Sequence, residues 1–410
     1  MKNSVALFIL FLLSIFPPLF AQDWPQWRGP ARDGVASGVV LPQVWPANLT
    51  KKWQLEVGLG HASPIVSDGK VFVHVRKGEN EVVYCVNLVD GKTVWQKDYP
   101  APYEMNFAAV AHGKGPKSTP VINNGKLYTF GISGIVSCFE AATGALKWRK
   151  EFSKKFAQTS PAFGVSMSPL VEDNLLIVHV GGPSKGALLA LDAMTGETKW
   201  SWEGDGPGHT SPIVLTVEGG KQVITQTQNY CVGIALAEGK LLWQMPFTTD
   251  YEQNIVTPLV YKDLIIISGL DKGTSALRVS RSGNAWRAEQ VWHNAEMSMY
   301  MSSPVLVGDL LFGFSDKRRG QYFSLDATTG KTLWTSEGRQ GENATLINAG
   351  GVLFLLNNAG ELTIAKPSAK AFEPMAKYDV STSATWAHPA IVGKHIIMKD
   401  TAALAMWSLE

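Results

Sequence analysis

The sequence predicts an all-β fold, an eight-bladed β-propeller of four-stranded antiparallel blades whose ring is closed by an N-terminal strand. Three observations support this prediction. The pattern Gly-x-x-x-Trp recurs along the chain, a Ser/Thr-Pro pair opens successive apolar runs, and these openings repeat with a period near 45 residues. That period is the length of a four-stranded propeller blade. The chain has 410 residues, 45% of them hydrophobic, so it also contains enough apolar material for a large core.

The Gly-x-x-x-Trp pattern marks a turn followed by the outermost strand of a repeat. Glycine accepts a positive φ in a tight turn, and an indole on an outer strand can bury about 150–250 Å² against the next repeat. We therefore expect these residues to dock neighbouring blades onto one another. The docking set comprises Trp53, Trp95, Trp148, Trp200, Trp243, Trp292 and Trp334 together with Gly91, Gly144, Gly196, Gly239 and Gly330.

The Ser/Thr-Pro marker gives the number of repeats. It opens apolar runs at Pro64, Pro120, Pro169, Pro212, Pro258 and Pro304, and Ala344 and Pro389 take the same place in two variant repeats. Eight openings predict eight blades.

The two ends of the chain predict how the ring closes. The repeat at residues 388–410 has room for only three strands, whereas residues 50–57 resemble an outer strand with no strands before it. Pairing the two would complete the eighth blade and remove an exposed sheet edge. The repeat at residues 341–380 keeps the strand spacing but has lost Gly-x-x-x-Trp.

The first residues have the pattern of a secretory signal peptide. Lys2 precedes an apolar run from Val5 to Phe16, and the small residue Ala21 follows two prolines. The run is shorter than the about 20 residues of a membrane span. We assign residues 1–21 to the signal peptide, 22–48 to an N-terminal extension and 49–410 to the propeller.

This assignment predicts an exported protein of the periplasm or the extracellular space with no transmembrane span after cleavage. Because no cysteine lies near residue 21, we expect that it is not a lipoprotein. Within the extension, Trp24, Trp27 and Arg28 either cap the propeller or contact a partner.

Charge and cysteine content argue against a nucleic-acid-binding protein and against a disulfide-stabilised one. The chain has 37 Lys and Arg against 35 Asp and Glu, a net charge of +2, which gives no support to a nucleic-acid partner. Three cysteines are too few for a disulfide framework. We interpret Cys85, Cys138 and Cys231 as small buried hydrophobic residues.

The repeats LALDAMTGETKW (189–200) and FSLDATTGKTLW (323–334) resemble the pyrroloquinoline-quinone-like (PQQ-like) propeller repeat family. The segment WPQWRGP (24–30) is similar to the start of exported bacterial members. The resemblance covers about residues 50–410. The family includes quinone-dependent alcohol and sugar dehydrogenases and non-catalytic scaffolds such as BamB, so the resemblance implies a fold and not one chemistry.

The dehydrogenases of this family typically hold calcium with a carboxylate and an amide, and many have a disulfide between adjacent cysteines. This sequence has no adjacent cysteines, and its largest insertion, the loop at residues 100–116, contains Glu104 as its only carboxylate. Sequence motifs for zinc, for a hydrolase nucleophile and for phosphate loops are also absent. We therefore expect no catalytic, cofactor-binding or metal-binding residues, with PQQ and calcium as the alternative.

Loops that lead from an outer strand to the next inner strand gather on one face of a propeller, and here they are rich in aromatic residues and histidine. They form the candidate ligand face, which comprises His61, Tyr103, His112, His209, Tyr251, Tyr300, Trp386 and His388. These side chains either form a binding mouth or plug the channel.

The function that we expect is a non-catalytic binding or scaffold module of the bacterial cell envelope. Its partner would be an envelope protein, a small molecule or a glycan. The alternatives are a PQQ- and calcium-dependent alcohol or sugar dehydrogenase and a carbohydrate-binding propeller.

Overall fold

The computed structural model describes residues 23–152, 161–182 and 185–410. These residues form eight sheets, which confirms the predicted eight-bladed all-β propeller. The predicted signal peptide lies outside the described residues. Within the described ranges, no helix is both long and apolar enough to cross a membrane. The three short 3-10 helices of the described chain are Phe107–His112, Asp250–Glu252 and Lys317–Arg319.

Blades 1 to 4 each use four consecutive strands, with the innermost strand first. They consist of Ile65–Ser67, Lys70–Lys77, Asn80–Asn87 and Thr93–Pro100 (blade 1); Val121–Asn123, Lys126–Phe130, Ile135–Glu140 and Leu146–Glu151 (blade 2); Leu170–Glu172, Leu175–Gly182, Lys185–Asp192 and Thr198–Trp202 (blade 3); Ile213–Val217, Gly220–Gln226, Tyr230–Ala235 and Leu241–Pro246 (blade 4).

Blades 5 to 8 follow the same order, with additions from the N-terminal part of the chain in the last two. They consist of Leu259–Tyr261, Leu264–Ser268, Thr274–Ser282 and Ala285–Asn294 (blade 5); Val305–Val307, Leu310–Ser315, Gln321–Asp326 and Thr332–Thr335 (blade 6); Ala344–Ala349, Val352–Asn357, Glu361–Lys366 and Glu373–Asp379 with Val35–Ala36 (blade 7); Ala390–Val392, His395–Lys399 and Ala403–Ser408 with Thr50–Glu56 (blade 8).

The eighth blade closes the ring as the sequence predicts. Thr50–Glu56 pairs antiparallel with Ala403–Ser408 and places Trp53 opposite Met406. The outer strand of blade 8 therefore comes from the N-terminal part of the chain and its three inner strands from the C-terminal end. This pairing covers what would otherwise be an open edge of backbone donors and acceptors.

Six of the repeat tryptophans lie at the seam between their own blade and the next. Each indole N–H donates to a backbone carbonyl of the next blade at 2.8–3.1 Å. The pairs are Trp53–Leu88, Trp95–Ala141, Trp148–Ala193, Trp200–Leu236, Trp292–Ala327 and Trp334–Ser368. The hydrogen bond fixes the ring, and burial of the ring stabilises the seam.

The repeat glycines receive these indoles. A Cβ atom at any of the five positions would lie 2.4–2.7 Å from the indole of the preceding blade, closer than real Cβ atoms approach. The pairs are Gly91–Trp53, Gly144–Trp95, Gly196–Trp148, Gly239–Trp200 and Gly330–Trp292. The motif therefore serves two seams, because its glycine faces the previous blade and its tryptophan faces the next.

Trp243 departs from this pattern. Its Nε1 donates to Gln222 Oε1 of its own blade at 2.8 Å, although the ring still packs against apolar residues of blade 5. Blade 5 joins its third and fourth strands by a hairpin at Gly283 and lacks the Gly-x-x-x-Trp turn. Blade 7 also lacks the pattern, but its third and fourth strands are joined by a longer turn, in which the Ser368 carbonyl accepts from Trp334. Next to the two-residue hairpin of blade 5, the Trp243 N–H instead bonds inside blade 4.

The seam between blades 7 and 8 also lacks a tryptophan of the repeat. Blade 8 has no turn between its third and fourth strands, because these strands come from opposite ends of the chain. The extension supplies the packing instead. Leu41 and Trp45 pack against the core that blades 7 and 8 share, and Tyr378 donates to the Pro46 carbonyl at 2.9 Å.

Candidate functional site

The N-terminal extension runs across the innermost strands of the propeller. Trp24 forms an antiparallel bridge with Val66 of blade 1, and the Pro25 carbonyl accepts from Ile122 N of blade 2 at 2.8 Å. Val35–Ala36 then adds a parallel strand to the inner edge of blade 7. All of these contacts are at inner strands, so the extension lies across the central channel.

Two buried arginines fasten the extension to two different blades. Arg28 donates to the carbonyls of Ser303 (3.1 Å) and Pro304 in blade 6. Arg32 donates to the carbonyls of Ser168 (3.0 Å) and Pro169 (2.9 Å) in blade 3. Burial lowers the pKa of Arg28 to about 10 and of Arg32 to about 9, so both remain charged at neutral pH.

A cavity of about 150 Å³ lies above this extension, at the mouth of the channel. Trp27 of the extension lines it, and its Nε1 donates to Thr257 Oγ1 at 2.9 Å. The extension therefore forms the floor of the cavity.

One position of the repeat builds most of the wall. In seven blades, the residue three places before the proline that opens the innermost strand lines the cavity. This is because each innermost strand enters the channel in the same register. These residues are His61, Lys117, Ser166, His209, Ile255, Met301 and Trp386. The other lining residues are Trp27, His112, Phe163, Ser211, Gln253, Asn343 and His388.

The Ser/Thr of the Ser/Thr-Pro marker holds this register. Its hydroxyl accepts a hydrogen bond from the backbone N–H of the equivalent residue in the preceding blade, at 2.9–3.1 Å. The donor and acceptor pairs are Ser63–Thr119, Thr119–Ser168, Ser168–Ser211, Thr257–Ser303 and His388–Ser63. These hydroxyls thus satisfy buried backbone donors close to the axis of the propeller.

Aromatic rings form a continuous arc around the mouth. The His112 ring centroid lies 5.9 Å from that of Trp386 and 5.8 Å from that of Phe163, both edge-on. Phe163 lies 6.0 Å from His209, also edge-on, and completes the arc. Trp27 and His388 form a separate pair at 4.1 Å with tilted rings. Edge-to-face contacts of this kind favour a fixed arrangement of rings.

The histidines of the cavity are held neutral. Burial, assisted by Lys399 and Lys117, lowers the pKa of His61 to about 4. Burial and Lys117 lower the pKa of His209 to about 4, and burial and Arg28 place the pKa of His388 well below its usual range. At neutral pH these rings are therefore hydrogen-bonding groups without charge.

Two of these rings have well-defined hydrogen bonds. His61 Nε2 lies 3.1 Å from the His112 carbonyl, and His209 Nδ1 lies 2.6 Å from Ser166 Oγ.

Most of the predicted ligand face comes together here. His61, His112, His209, Trp386 and His388 line the cavity. That these residues bind a ligand stays a prediction.

The three predicted tyrosines do not line the cavity. Tyr300 donates to Gln253 Oε1 at 2.6 Å and so positions a lining residue. Tyr103 is buried beside Gly164, and Tyr251 is 81% exposed on the rim.

Sequence reasoning missed Lys117. Its Nζ donates to the Phe163 carbonyl at 2.6 Å and lines the cavity between blades 1 and 2. Burial lowers the pKa of Lys117 to about 8. The signal that could have found it is its position, three residues before Pro120, which is the position of His61 before Pro64.

The donor set of the cavity does not fit calcium. Calcium takes hard oxygen ligands, usually including carboxylates, and the described residues that line the cavity include no Asp or Glu. In the part of the chain that the structure describes, no three His, Cys, Asp or Glu side chains converge as a metal site would require. The three cysteines are free and buried.

Comparisons with known proteins place the chain among PQQ-like propellers. The family profile described as outer membrane protein assembly factor BamB matches residues 79–336. BamB of Yersinia pestis is 24% identical over 259 residues, which are 58% of this chain and 61% of that protein. Quinohemoprotein alcohol dehydrogenase ADH-IIG of Pseudomonas putida is 25% identical over 156 residues, which are 37% of this chain and 21% of that protein.

Two solved structures have the same fold. BamB from Moraxella catarrhalis matches 88% of this chain and 99% of its own, with a TM-score of 0.60 and 14% identity. Quinohemoprotein alcohol dehydrogenase from Comamonas testosteroni matches 94% of this chain and 80% of its own, with a TM-score of 0.71 and 14% identity. At this identity the likeness shows the fold alone.

Proposed function

Because the chain belongs to the family described as outer membrane protein assembly factor BamB, we propose that it is a non-catalytic scaffold that binds another protein of the bacterial cell envelope. The family match over residues 79–336 is the observation that carries this proposal. The chain spans 61% and 65% of the BamB proteins of Yersinia pestis and Shewanella oneidensis, so the envelope partner is part of the proposal.

The rim of the cavity supplies a surface for such a partner. Phe107 and Val110, in the 3-10 helix that ends at His112, are 89% and 61% exposed. Tyr251, two residues before Gln253, is 81% exposed. Phe107 and Val110 lie between blades 1 and 2, and Tyr251 lies between blades 4 and 5. Large exposed apolar side chains are typical of protein interaction surfaces.

Capture from envelope extracts tests the proposal. The immobilised wild-type chain should retain an envelope protein, identified by mass spectrometry, and the double variant Phe107→Ser/Tyr251→Ser should lose most of it. Val89→Ser is the matched control, because Val89 is also 81% exposed but lies in a turn on the opposite face. Equal capture by the wild type and the double variant, or no capture by either, would contradict the proposal.

The proposal also includes the absence of quinone chemistry. Since the lining of the cavity offers no carboxylate among the described residues, we expect neither uptake of PQQ with Ca²⁺ nor dye-linked oxidation of alcohols or sugars. Spectrophotometric titration with PQQ followed by a dye-reduction assay checks this. Stoichiometric uptake accompanied by dye reduction would favour the dehydrogenase alternative.

Export is the third part of the proposal. The signal-peptide pattern predicts that the mature chain begins after Ala21. Cell fractionation and N-terminal sequencing of the purified protein test this, and a cytoplasmic protein that retained Met1 would show that the prediction is wrong.

A further inference from the structure

The cavity at the channel mouth brings cationic groups together. Asp33 lies near Arg28, and Asp400 and Glu56 lie near Lys399, whereas burial alone shifts the pKa of Lys117. Lys117 lines it directly, Lys399 lies close enough to His61 to lower its pKa, and Arg28 does the same to His388. Each charged neighbour that shifts the pKa of a lining histidine is a cation or another imidazole. The lining carries no carboxylate among the described residues. The site is therefore electropositive.

The two lysines near the cavity differ in the hydrogen bonds that they already make. Lys399 donates to the carbonyls of Gly60 (2.8 Å), Asp400 (2.9 Å) and Thr401 (3.2 Å), which uses all three of its donors. Lys117 donates only to the Phe163 carbonyl among the described residues. Within the described ranges, two of its three N–H groups therefore remain available to a ligand.

The other lining residues indicate the shape and polarity of the ligand. Phe163, Trp386 and Trp27 offer ring faces and edges, while Gln253 and Asn343 offer amides. Neutral imidazoles and hydroxyls complete the wall. A cation at one point of an aromatic enclosure suits a molecule with an anionic group at one end and a flat apolar body.

We propose that this cavity binds a small organic carboxylate, with the carboxylate held by Lys117 and the apolar body enclosed by Phe163 and Trp386. The site is separate from the exposed rim residues, so this proposal does not depend on the scaffold function. A carboxylate at Lys117 gains a charge-assisted hydrogen bond and satisfies an ammonium that is only partly paired.

Isothermal titration of the full mature chain with benzoate tests the proposal, with benzamide as its neutral isostere. Benzoate should bind and benzamide should bind at least about tenfold more weakly, the factor expected when a hydrogen bond to a charged group is lost. Lys117→Met should weaken benzoate by a similar factor, and Lys117→Arg should retain most of the affinity. Lys114→Met, in the same loop but outside the lining, is the control and should change nothing.

The pH dependence gives a second readout. Lys117 loses its charge as the pH rises through about 8, whereas His61, His112 and His209 around it are already neutral there. Burial also lowers the pKa of Lys399, near His61, to about 8, so this lysine loses its charge in the same range. Benzoate affinity should therefore fall more steeply between pH 7 and pH 9 in the wild type than in Lys117→Met, with melting temperatures recorded to show that both are folded. Absence of benzoate binding, equal affinity for benzamide, or unchanged benzoate affinity in Lys117→Met would each overturn the proposal.

Discussion

The contact between the Trp200 indole and Gly239 makes a quantitative prediction about how the blades are held together. Trp200 is 8% exposed and donates to the Leu236 carbonyl at 2.8 Å. A Cβ at Gly239 would lie 2.5 Å from the indole, and φ there is +70°. Each residue should therefore limit what the other position can accept, and a double-mutant cycle measures that coupling.

The expected costs follow from these distances. Trp200→Ala should lower the free energy of unfolding by about 3–5 kcal/mol, of which about 1 kcal/mol is the lost hydrogen bond. Gly239→Ala should cost about 1–2 kcal/mol for the left-handed backbone and about 1–3 kcal/mol more for overlap with the indole. In the double variant the overlap disappears, so its cost should be about 1–3 kcal/mol less than the sum of the single variants.

Equilibrium unfolding in urea, followed by far-ultraviolet circular dichroism, is the assay. Gly219→Ala is the matched control, because Gly219 has φ +78° in a turn of the same blade but open space around its Cβ position. It should show only the backbone cost of about 1–2 kcal/mol, with no coupling to Trp200. If the costs of Trp200→Ala and Gly239→Ala were additive within about 0.5 kcal/mol, the glycine would serve the turn alone and the interpretation of the motif would be wrong.

Three further predictions concern the extension, the buried histidines and the closure of the ring. Arg28→Met should lower the free energy of unfolding, measured in urea, by about 2–4 kcal/mol because it leaves buried carbonyls unpaired. It should also raise the pKa of His388, measured by NMR of its imidazole. An unchanged pKa would contradict the proximity of Arg28 to His388. Burial lowers the pKa of both His179 and His209 to about 4, so between pH 6.5 and pH 4 the unfolded chain binds more protons than the folded one. The free energy of unfolding should therefore fall on acidification through this range, by about 1.4 kcal/mol per pH unit for each imidazole, and a flat profile in urea titrations would refute this. Leu55→Pro should disrupt the closing strand and expose its C-terminal partner strand to hydrogen exchange, while exchange in blade 4 should not change.

The sequence was sufficient for the parts of the fold that repeat. Each blade forms from neighbouring residues, so hairpin turns, apolar strands and the Gly-x-x-x-Trp pattern recur with a period that can be counted. Closure by residues 50–57 was also predictable, because the last repeat lacks one strand and the N-terminal region offers one. The histidines that line the cavity could be selected for the same reason, since they lie at the opening of a repeat or in the loop before it; that they bind a ligand stays a prediction.

Other features were not visible in the pattern. The repeat glycine receives the indole of the preceding blade. This contact joins two different repeats, so a motif within one repeat does not reveal it. Trp243 has the same sequence signature as its counterparts but bonds within its own blade, where the next blade has a two-residue hairpin in place of a longer turn. Lys117 belongs to a repeat position whose residue type varies between blades. Its spacing before the proline could have located it, but only the channel geometry shows that the residues at this position face one cavity.

Sequence alone therefore determined the number of blades and their strand order, because short-range turns and the packing of adjacent strands set these properties. It also determined the closure of the ring, because the last repeat lacks one strand and the N-terminal region offers one. The tertiary structure decided the path of the N-terminal extension and the nature of the cavity. Arg28 meets the Ser303 carbonyl across 275 residues of chain, and Lys117 meets three histidines of the channel mouth through space. Such contacts exist only once the ring has closed and brought distant residues to a common axis, so no local pattern encodes them.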